Sequence, residues 1–176
     1  MELTDGCRRA LVAWSPPDPD QARLRTAYLD HLRRRPDGWS RDCAGEHLTA
    51  SSMIISPDRD RVLLTLHRRL GRWLQTGGHI ESSDPDLAAA ALREAAEESG
   101  LPELEPGPIL RLSRHEVPCG PVRPAYHLDV QYLITADPAQ SPAVSEESTD
   151  VRWFALDELP EIDRTVRELI AAARRS

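Results

Sequence analysis

The sequence lacks an excess of positive charge, since its 22 Lys and Arg residues face 29 Asp and Glu residues and leave a net charge of −7. A protein that binds nucleic acid through its phosphates carries the opposite balance, so we expect no nucleic-acid partner. An acidic protein that handles phosphate groups needs cations to bring the two together. The charge balance therefore favours a metal-dependent function if the substrate is a phosphate compound.

Long apolar runs are also missing. No segment approaches the ~20 apolar residues that a membrane-spanning helix needs, and the N-terminus carries early acidic residues instead of the apolar stretch of a signal peptide. We therefore expect no membrane partner and a cytoplasmic location.

Cysteines are few and widely spaced. Cys7, Cys43 and Cys119 are odd in number and show no close metal-ligand spacing, which favours reduced thiols. Cys43 and His47 could share a metal, but two ligands without further partners are weak evidence for a site.

The hydrophobic pattern divides the chain of 176 residues near its first quarter. Apolar residues at helical spacing predict a helix before Ser15-Pro16-Pro17 and a second helix from about Asp20 to Arg34. From Thr49 the pattern changes to that of strands. We therefore predict an N-terminal helical extension over residues 1–45 and a main domain over residues 46–176, with no internal repeat.

Short strand patterns alternate with a few helical patterns in the main domain. The predicted strands are 52–55, 61–66, 73–75, 109–117, 126–135 and 151–154, and the predicted helices are 86–99 and 163–175. A short loop at Gly77-Gly78 precedes the first of these helices. The pattern predicts an α/β or α+β fold in which helices cover a mixed sheet.

The helix predicted over residues 86–99 carries an unusual group of acidic residues. At ~100° per residue, Glu94, Glu97 and Glu98 fall within one arc about 100° wide. Small and apolar residues occupy roughly the opposite side and are expected to pack on the sheet: Ala88, Leu92, Ala95, Ala96 and Ser99.

Like charges at this spacing destabilise a helix by a few tenths of a kcal/mol per pair, so a compensating group is expected. A hard cation with oxygen ligands is the natural candidate, and a solvated acidic face is the alternative. The flanking residues favour the cation, because Gly77-Gly78 permits close approach of the backbone to a ligand and Arg93 lies beside Glu94.

These residues carry a resemblance to the Nudix hydrolase family, whose signature is G-x5-E-x7-R-E-U-x-E-E-x-G-U with U an aliphatic residue. The segment from Arg93 to Leu101 matches the second half throughout, with Ala95 at the U position. The first half departs from the signature, because Asp84 stands in place of its first Glu and eight residues separate Asp84 from Arg93. The resemblance covers roughly residues 49–154 and implies a Nudix-type α/β/α sandwich.

The resemblance also implies roles for individual residues. Glu97 and Glu98 become the principal metal ligands, Glu94 a further ligand or base, and Arg93 the residue that orients these carboxylates. The Gly78 carbonyl completes the coordination, and an acid in the loop before Trp153, Glu147 rather than Glu146, serves as a second-half acid. The implied cofactor is Mg²⁺, with Mn²⁺ as the alternative.

The implied activity is hydrolysis of a diphosphate linkage in a small nucleotide-type molecule, such as a nucleotide sugar, an ADP-ribose-like compound or a nucleoside triphosphate. Two alternatives remain from the same fold. One is a sensor that binds a nucleotide without turnover, and the other is an enzyme like isopentenyl-diphosphate isomerase, whose cysteine and metal-histidine pattern is not evident in the sequence. The N-terminal helices leave a homodimer open.

Histidines lie on or beside the predicted strands near the motif: His67, His79, His115 and His127. Single histidines on strands are more often packing or surface residues than metal ligands. His79 is the exception, because it follows Gly78 directly and is expected at the rim of the metal site.

Overall fold

A computed structural model describes residues 2–118 and 121–176, so Cys119 lies outside the described residues. Its elements are, in chain order, α1 (Glu2–Ala13), α2 (Pro19–Arg34), β1 (Glu46–Ile55), β2 (Arg61–His67), β3 (Arg72–Leu74), β4 (Thr76–His79), α3 (Leu87–Ser99), β5 (Glu105–Val117), β6 (Ala125–Thr135), β7 (Ser148–Ala155) and α4 (Arg164–Arg175). The mixed sheet with flanking helices confirms the predicted fold class. Among the described residues, no helix has the length and hydropathy needed to cross a bilayer.

The strands form one seven-stranded sheet with the order β3-β2-β1-β6-β5, to which β4 adds by pairing with β1 and β7 by pairing with β2. Strands β1 and β2 form an antiparallel hairpin, with Ile54 opposite Leu63 and Ile55 opposite Val62. Its turn is closed by the Ser56 N–H, which donates to the Arg61 carbonyl over 3.0 Å.

Strand β1 begins at Glu46, six residues before the predicted start at Ser52. This part of the strand contains polar residues and therefore lacks the apolar pattern of a buried strand. These polar residues are buried and hydrogen-bonded. Thr49 Oγ1 donates to the Asp129 carboxylate over 2.9 Å, and the hydroxyls of Ser52 and Thr76 lie 2.8 Å apart. Because these partners replace water, the strand stays buried without an apolar pattern.

The predicted loop at Gly77-Gly78 is wrong, because both residues belong to strand β4. Gly77 has a φ of 148°, a conformation that residues with a side chain rarely adopt. The glycine is therefore needed for the path of the backbone.

The described residues group into two compact units. The first contains residues from the ranges 1–50, 78–90 and 111–130, and the second contains 51–77, 91–110 and 131–176. The predicted boundary between the N-terminal extension and the main domain at residue 46 stays a prediction.

Helix α2 is held within the first unit by its side chains. The Asp18 carboxylate caps its N-terminus by accepting from the Gln21 N–H over 2.8 Å. The buried Gln21 amide contacts the backbone of β5 twice, since Nε2 donates to the Leu112 carbonyl over 3.1 Å and Oε1 accepts from the Leu112 N–H over 2.6 Å. Tyr28 and Leu32 on the same helix are fully buried.

The second unit contains two groups of apolar side chains. The larger includes Met53, Val62 and Leu64 of the sheet together with Val166, Leu169 and Ile170 of α4. The smaller includes Ile54, Leu63 and Ala95, so α3 is anchored by small residues as its sequence predicted.

Candidate functional site

Helix α3 is defined at both ends by its sequence. At the N-terminus, the Asp86 carboxylate accepts from the Ala89 N–H over 2.9 Å, so Asp86 is the cap rather than the first helical residue. At the C-terminus, Gly100 adopts a φ of 66° and its N–H donates to the Ala96 carbonyl over 2.9 Å. These ends fix where the three glutamates of α3 lie.

The buried stripe of α3 differs from the predicted one. Ala96, predicted to pack, is exposed, whereas Glu98, predicted on the polar side, is only 9 % exposed. The buried stripe runs through Leu87, Ala91 and Ala95 and is rotated toward the glutamates. Glu98 therefore lies on the buried side of the helix and not on the polar side. A helical wheel gives the relative directions of side chains but not which direction the rest of the fold covers.

Arg93 joins two of the three glutamates. Its Nη1 donates to Glu94 Oε1 over 2.9 Å and to Glu97 Oε2 over 3.2 Å. The Glu94 side chain is 14 % exposed and that of Glu97 is 60 % exposed. Arg93 therefore holds a half-buried carboxylate and an exposed one beside each other, and the orienting role that the resemblance implies for it stays a prediction.

Glu98 is held from the strand that precedes the helix. Its Oε2 accepts from the Gly77 N–H over 3.3 Å. The pKa of Glu98 is raised to about 8, chiefly by burial and in addition by the charges of Glu94, Glu147 and Glu97, against the lowering effect of the Gly77 hydrogen bond. Glu98 thus retains its proton near neutral pH unless a cation compensates its charge.

The pKa of Glu94 is also raised, chiefly by burial. The hydrogen bond and charge of Arg93 lower it, and the charges of Glu97 and Glu147 raise it. Glu94 and Glu98 are thus a half-buried and a buried carboxyl group whose charged forms are disfavoured and whose neighbours are acidic, an unfavourable arrangement that a bound cation would compensate.

The structure brings the charge of Glu147 close enough to raise the pKa of both Glu94 and Glu98. Glu147 is exposed, and its backbone is fixed because its carbonyl accepts from the Arg68 N–H over 2.9 Å. The neighbouring Glu146 offers its backbone carbonyl to Arg68 Nε over 2.9 Å. Of the two candidates in this loop, Glu147 is the one with an electrostatic link to the helix glutamates.

Asp84, which replaces the first glutamate of the family signature, is turned toward its own loop. It is 7 % exposed, and its Oδ2 accepts from the Glu81 N–H over 2.8 Å. This contact closes a turn over residues 81–84. Gly78, the predicted carbonyl ligand, lies in β4 directly after Gly77, and its metal role stays a prediction.

Three histidines that the sequence did not group lie together in the first unit. His47, His79 and His127 each offer one ring nitrogen, and the three nitrogens lie within 4.8 Å of one another. Their ring centroids are 5.0 to 5.2 Å apart. The histidines come from β1, β4 and β6, so only the strand order could have grouped them. His79 was predicted beside a metal and His127 was interpreted as a packing or surface residue.

All three histidines are held neutral. The pKa of His127 is lowered to about 3 and that of His79 to about 4, chiefly by burial and in addition by neighbouring histidines. Burial also lowers the pKa of His47, whereas its hydrogen bond to the Cys43 backbone raises it. Neutral imidazoles are the form that binds metal ions.

A cavity of about 470 Å³ lies in the first unit, and none of the residues predicted for the site lines it. Basic and aromatic residues contribute to its wall, including His31, Arg34, Arg35, Arg114 and Tyr126. The Arg114 guanidinium lies 3.6 Å from the centre of the Tyr126 ring.

Comparison with known proteins agrees with the resemblance seen in the sequence. The NUDIX domain model matches residues 46–173. The chain therefore belongs to the Nudix hydrolase family, and its fold is the Nudix fold.

The chain is also similar to particular curated proteins and solved structures. A curated CMP-5'-(N-acetyl-N-hydroxy-3-aminopropyl)phosphonate hydrolase from Streptomyces rubellomurinus is 30 % identical over 67 % of this chain, which spans 56 % of that relative's length. Among solved structures, a NUDIX family hydrolase from Clostridium perfringens is 25 % identical, with a TM-score of 0.57 over 72 % of this chain and 95 % of its own. The NUDIX domain of Shewanella oneidensis NrtR, solved with ADP ribose, is 23 % identical, with a TM-score of 0.55 over 73 % and 86 % of the two chains.

Proposed function

We propose that this chain hydrolyses a phosphate–phosphate bond in a small nucleotide-type molecule with the help of a divalent cation. The observation that carries the proposal is the state of Glu98. It is a buried carboxyl group with a pKa of about 8, held by the Gly77 N–H beside further carboxylates. A fold gains nothing from such a group unless a cation binds it, since its burial in charged form is costly.

The donor set fits a hard divalent cation. Glu94, Glu97, Glu98 and Glu147 supply carboxylate oxygens, and the Gly78 carbonyl is the proposed backbone ligand. Oxygen ligands of this kind suit Mg²⁺, with Mn²⁺ as the alternative. A cation held there would neutralise charge on a phosphoryl group and lower the pKa of a bound water.

Other groups of the chain would position the carboxylates and accept a proton. Arg93 keeps Glu94 and Glu97 at a fixed spacing through its two hydrogen bonds. The Gly77 N–H directs one Glu98 oxygen, which leaves the other oxygen of that carboxylate for a ligand. Glu147 is proposed as the base that accepts a proton from the attacking water at its carboxylate oxygen. It is exposed, as a residue that exchanges protons with solvent must be.

The substrate class is proposed from the relatives. The Streptomyces relative is named for a phosphonate linked to CMP, and the NrtR domain was solved with ADP ribose. Both molecules contain a nucleotide joined to another group. We therefore propose a nucleoside diphosphate linked to another moiety, or a nucleoside triphosphate, as the substrate.

The experiment is a panel of nucleotide sugars, ADP-ribose, CMP-linked phosphonates, dinucleoside polyphosphates and nucleoside triphosphates, incubated with Mg²⁺ or Mn²⁺ and analysed by chromatography. The wild type is compared with Glu97→Gln and with Glu158→Gln, an exposed glutamate outside the site that serves as the control. We expect metal-dependent release of a phosphorylated product by the wild type and by Glu158→Gln. Equal turnover by Glu97→Gln would contradict the metal assignment.

The panel also separates the alternatives. A nucleotide sensor would bind a member of the panel, measured by calorimetry, and release no product. The grouped histidines favour an isopentenyl-diphosphate-isomerase-like enzyme as a second candidate, since a metal-histidine pattern was its missing feature. Isopentenyl diphosphate therefore belongs in the panel, and NMR detects whether its double bond moves.

A further inference from the structure

His47, His79 and His127 form an arrangement that packing alone does not explain. A buried imidazole normally satisfies both ring nitrogens with hydrogen bonds. The Nε2 atoms of His47 and His127 are both buried and have no hydrogen-bond partner among the described residues. Each of these two atoms, in neighbouring rings, carries a desolvation cost that no hydrogen bond compensates.

The tautomer of His47 follows from its other nitrogen. Nδ1 lies 3.4 Å from the Cys43 carbonyl oxygen, which can only accept, so Nδ1 carries the proton. Nε2 therefore carries a lone pair in a side chain that is 3 % exposed. A ring that donates one N–H to a backbone carbonyl and leaves the other nitrogen for a ligand is the usual arrangement of metal-bound histidine.

We infer that His47, His79 and His127 bind a transition-metal ion of the Zn²⁺ type, in addition to the hard cation proposed for the glutamates. The three histidines belong to the first unit, whereas Glu94, Glu97, Glu98 and Glu147 belong to the second. The inference does not depend on the proposed hydrolase activity.

The chemistry of the three ligands selects the ion. Imidazole nitrogens suit Zn²⁺, Co²⁺, Ni²⁺ and Cu²⁺, whereas Mg²⁺ and Ca²⁺ require oxygen ligands. Two nitrogens bound tetrahedrally at about 2.0–2.1 Å from one ion are roughly 3.4 Å apart. The three ring nitrogens lie within 4.8 Å of one another, so at this largest separation each ring would move inward by about 1 Å to bind one ion. Three protein ligands leave a fourth position for water or substrate.

Positively charged or titratable groups lie close to the cluster. Arg41 lies close enough to lower the pKa of His47 and His79, and the exposed His115 ring is 5.6 Å from that of His127. Arg41 opposes a cation, so its removal is expected to strengthen metal binding.

The test uses the full chain, stripped with a chelator and titrated with Co²⁺ in place of Zn²⁺. We expect one Co²⁺ per chain, with the intense visible absorption of a tetrahedral or five-coordinate site. His127→Gln removes a ligand and is expected to weaken binding at least tenfold. His115→Gln is the matched control, because it removes a neighbouring histidine that is exposed and outside the group. Arg41→Gln is expected to tighten binding.

X-ray absorption of the Zn²⁺-loaded wild type provides a measurement that does not rely on variants. Three imidazole scatterers at about 2.0–2.1 Å are expected. Sulfur scatterers, fewer than two imidazoles, or Co²⁺ binding that is unchanged in His127→Gln would overturn the inference. Glu98→Gln is expected to retain the Co²⁺ spectrum, so loss of hydrolysis with retained Co²⁺ binding separates this site from the proposed catalytic one.

Discussion

The Gly77 N–H donates to the Glu98 carboxylate over 3.3 Å, and this contact joins strand β4 to the buried side of helix α3. The contact holds Glu98 in place, and Glu98 is the glutamate of this helix with the most strongly raised pKa, about 8.

Glu98→Gln tests the role of this carboxylate. The amide retains an oxygen that can accept from Gly77 but carries no charge for a cation. We expect kcat/KM with Mg²⁺ to fall by more than about 100-fold, since even groups that only position metal ligands contribute about 10–100-fold. Steady-state kinetics on the substrate found in the panel measures the effect. A variant that retains most of its activity would exclude Glu98 as a ligand.

The stability of the metal-free protein is expected to fall between pH 6.5 and 8.5. The pKa of Glu98 is about 8 when folded and near 4.5 when unfolded, so the folded state binds more protons in this range. The cost of ionising Glu98 is absent at low pH and complete above about pH 8. The free energy of unfolding is therefore expected to fall by on the order of 1–2 kcal/mol between pH 6.5 and 8.5.

Thermal unfolding in a chelating buffer measures this loss, with Glu98→Gln as the comparison. The variant is expected to show a flatter dependence on pH. The lower limit of pH 6.5 avoids the histidines, whose lowered pKa values make the folded protein less stable as pH falls below about 6.5. The upper limit avoids Cys7, whose pKa is raised to about 12 by burial. Identical slopes for the two proteins would contradict the assignment.

Arg93→Lys tests the orienting role of Arg93. Lysine retains the positive charge but lacks the planar group that contacts Glu94 and Glu97 together. We expect kcat to fall by about 10–100-fold with little change in the unfolding temperature. The Mg²⁺ concentration for half-maximal rate is expected to rise, whereas a purely structural role would lower stability and leave this concentration unchanged.

Gly100→Ala tests the end of α3, with Gly71→Ala as its control. Both glycines have positive φ, 66° and 61°, so alanine adds similar backbone strain at each. An added Cβ at Gly100 would lie 2.6 Å from the Ala143 Cβ, whereas nothing lies within 4 Å at Gly71. We expect a loss of about 1–2 kcal/mol for Gly71→Ala and a further 1–3 kcal/mol for Gly100→Ala. Denaturant unfolding measures both. Equal losses of stability in the two variants would show that the loop at Ala143 moves away from the added Cβ at little cost, and would contradict the prediction.

Much of the fold follows from the sequence, because the positions of its turns and the helical spacing of apolar residues have local causes. The helix ends at Asp86 and Gly100 show this, since capping depends on residues within one turn. Strand β1 was predicted too short, because Thr49 and Ser52 are buried through hydrogen bonds to residues far along the chain. Local hydropathy does not contain that information.

In the candidate site, too, some features follow from the local sequence and others depend on contacts between distant segments. The grouping of Glu94, Glu97 and Glu98 follows from helical geometry, and the match to the family signature is local in sequence. The burial of Glu98 and the position of Glu147 depend on how distant segments pack. The grouping of His47, His79 and His127 requires the strand order, because β1, β4 and β6 are far apart in the sequence. Each histidine alone looks like an ordinary strand residue.

The two hydrogen bonds between Gln21 and Leu112 have a consequence beyond holding helix α2. Strand β5 stands last in the sheet order, and both Leu112 backbone groups bond to the Gln21 amide. A side chain thus occupies backbone groups to which an additional strand would otherwise pair. Open strands of this kind promote aggregation, and proteins commonly cover them. By this contact, helix α2 covers part of the open side of β5. A shortened chain that begins after α2 is therefore expected to gain solubility from a charged substitution on β5.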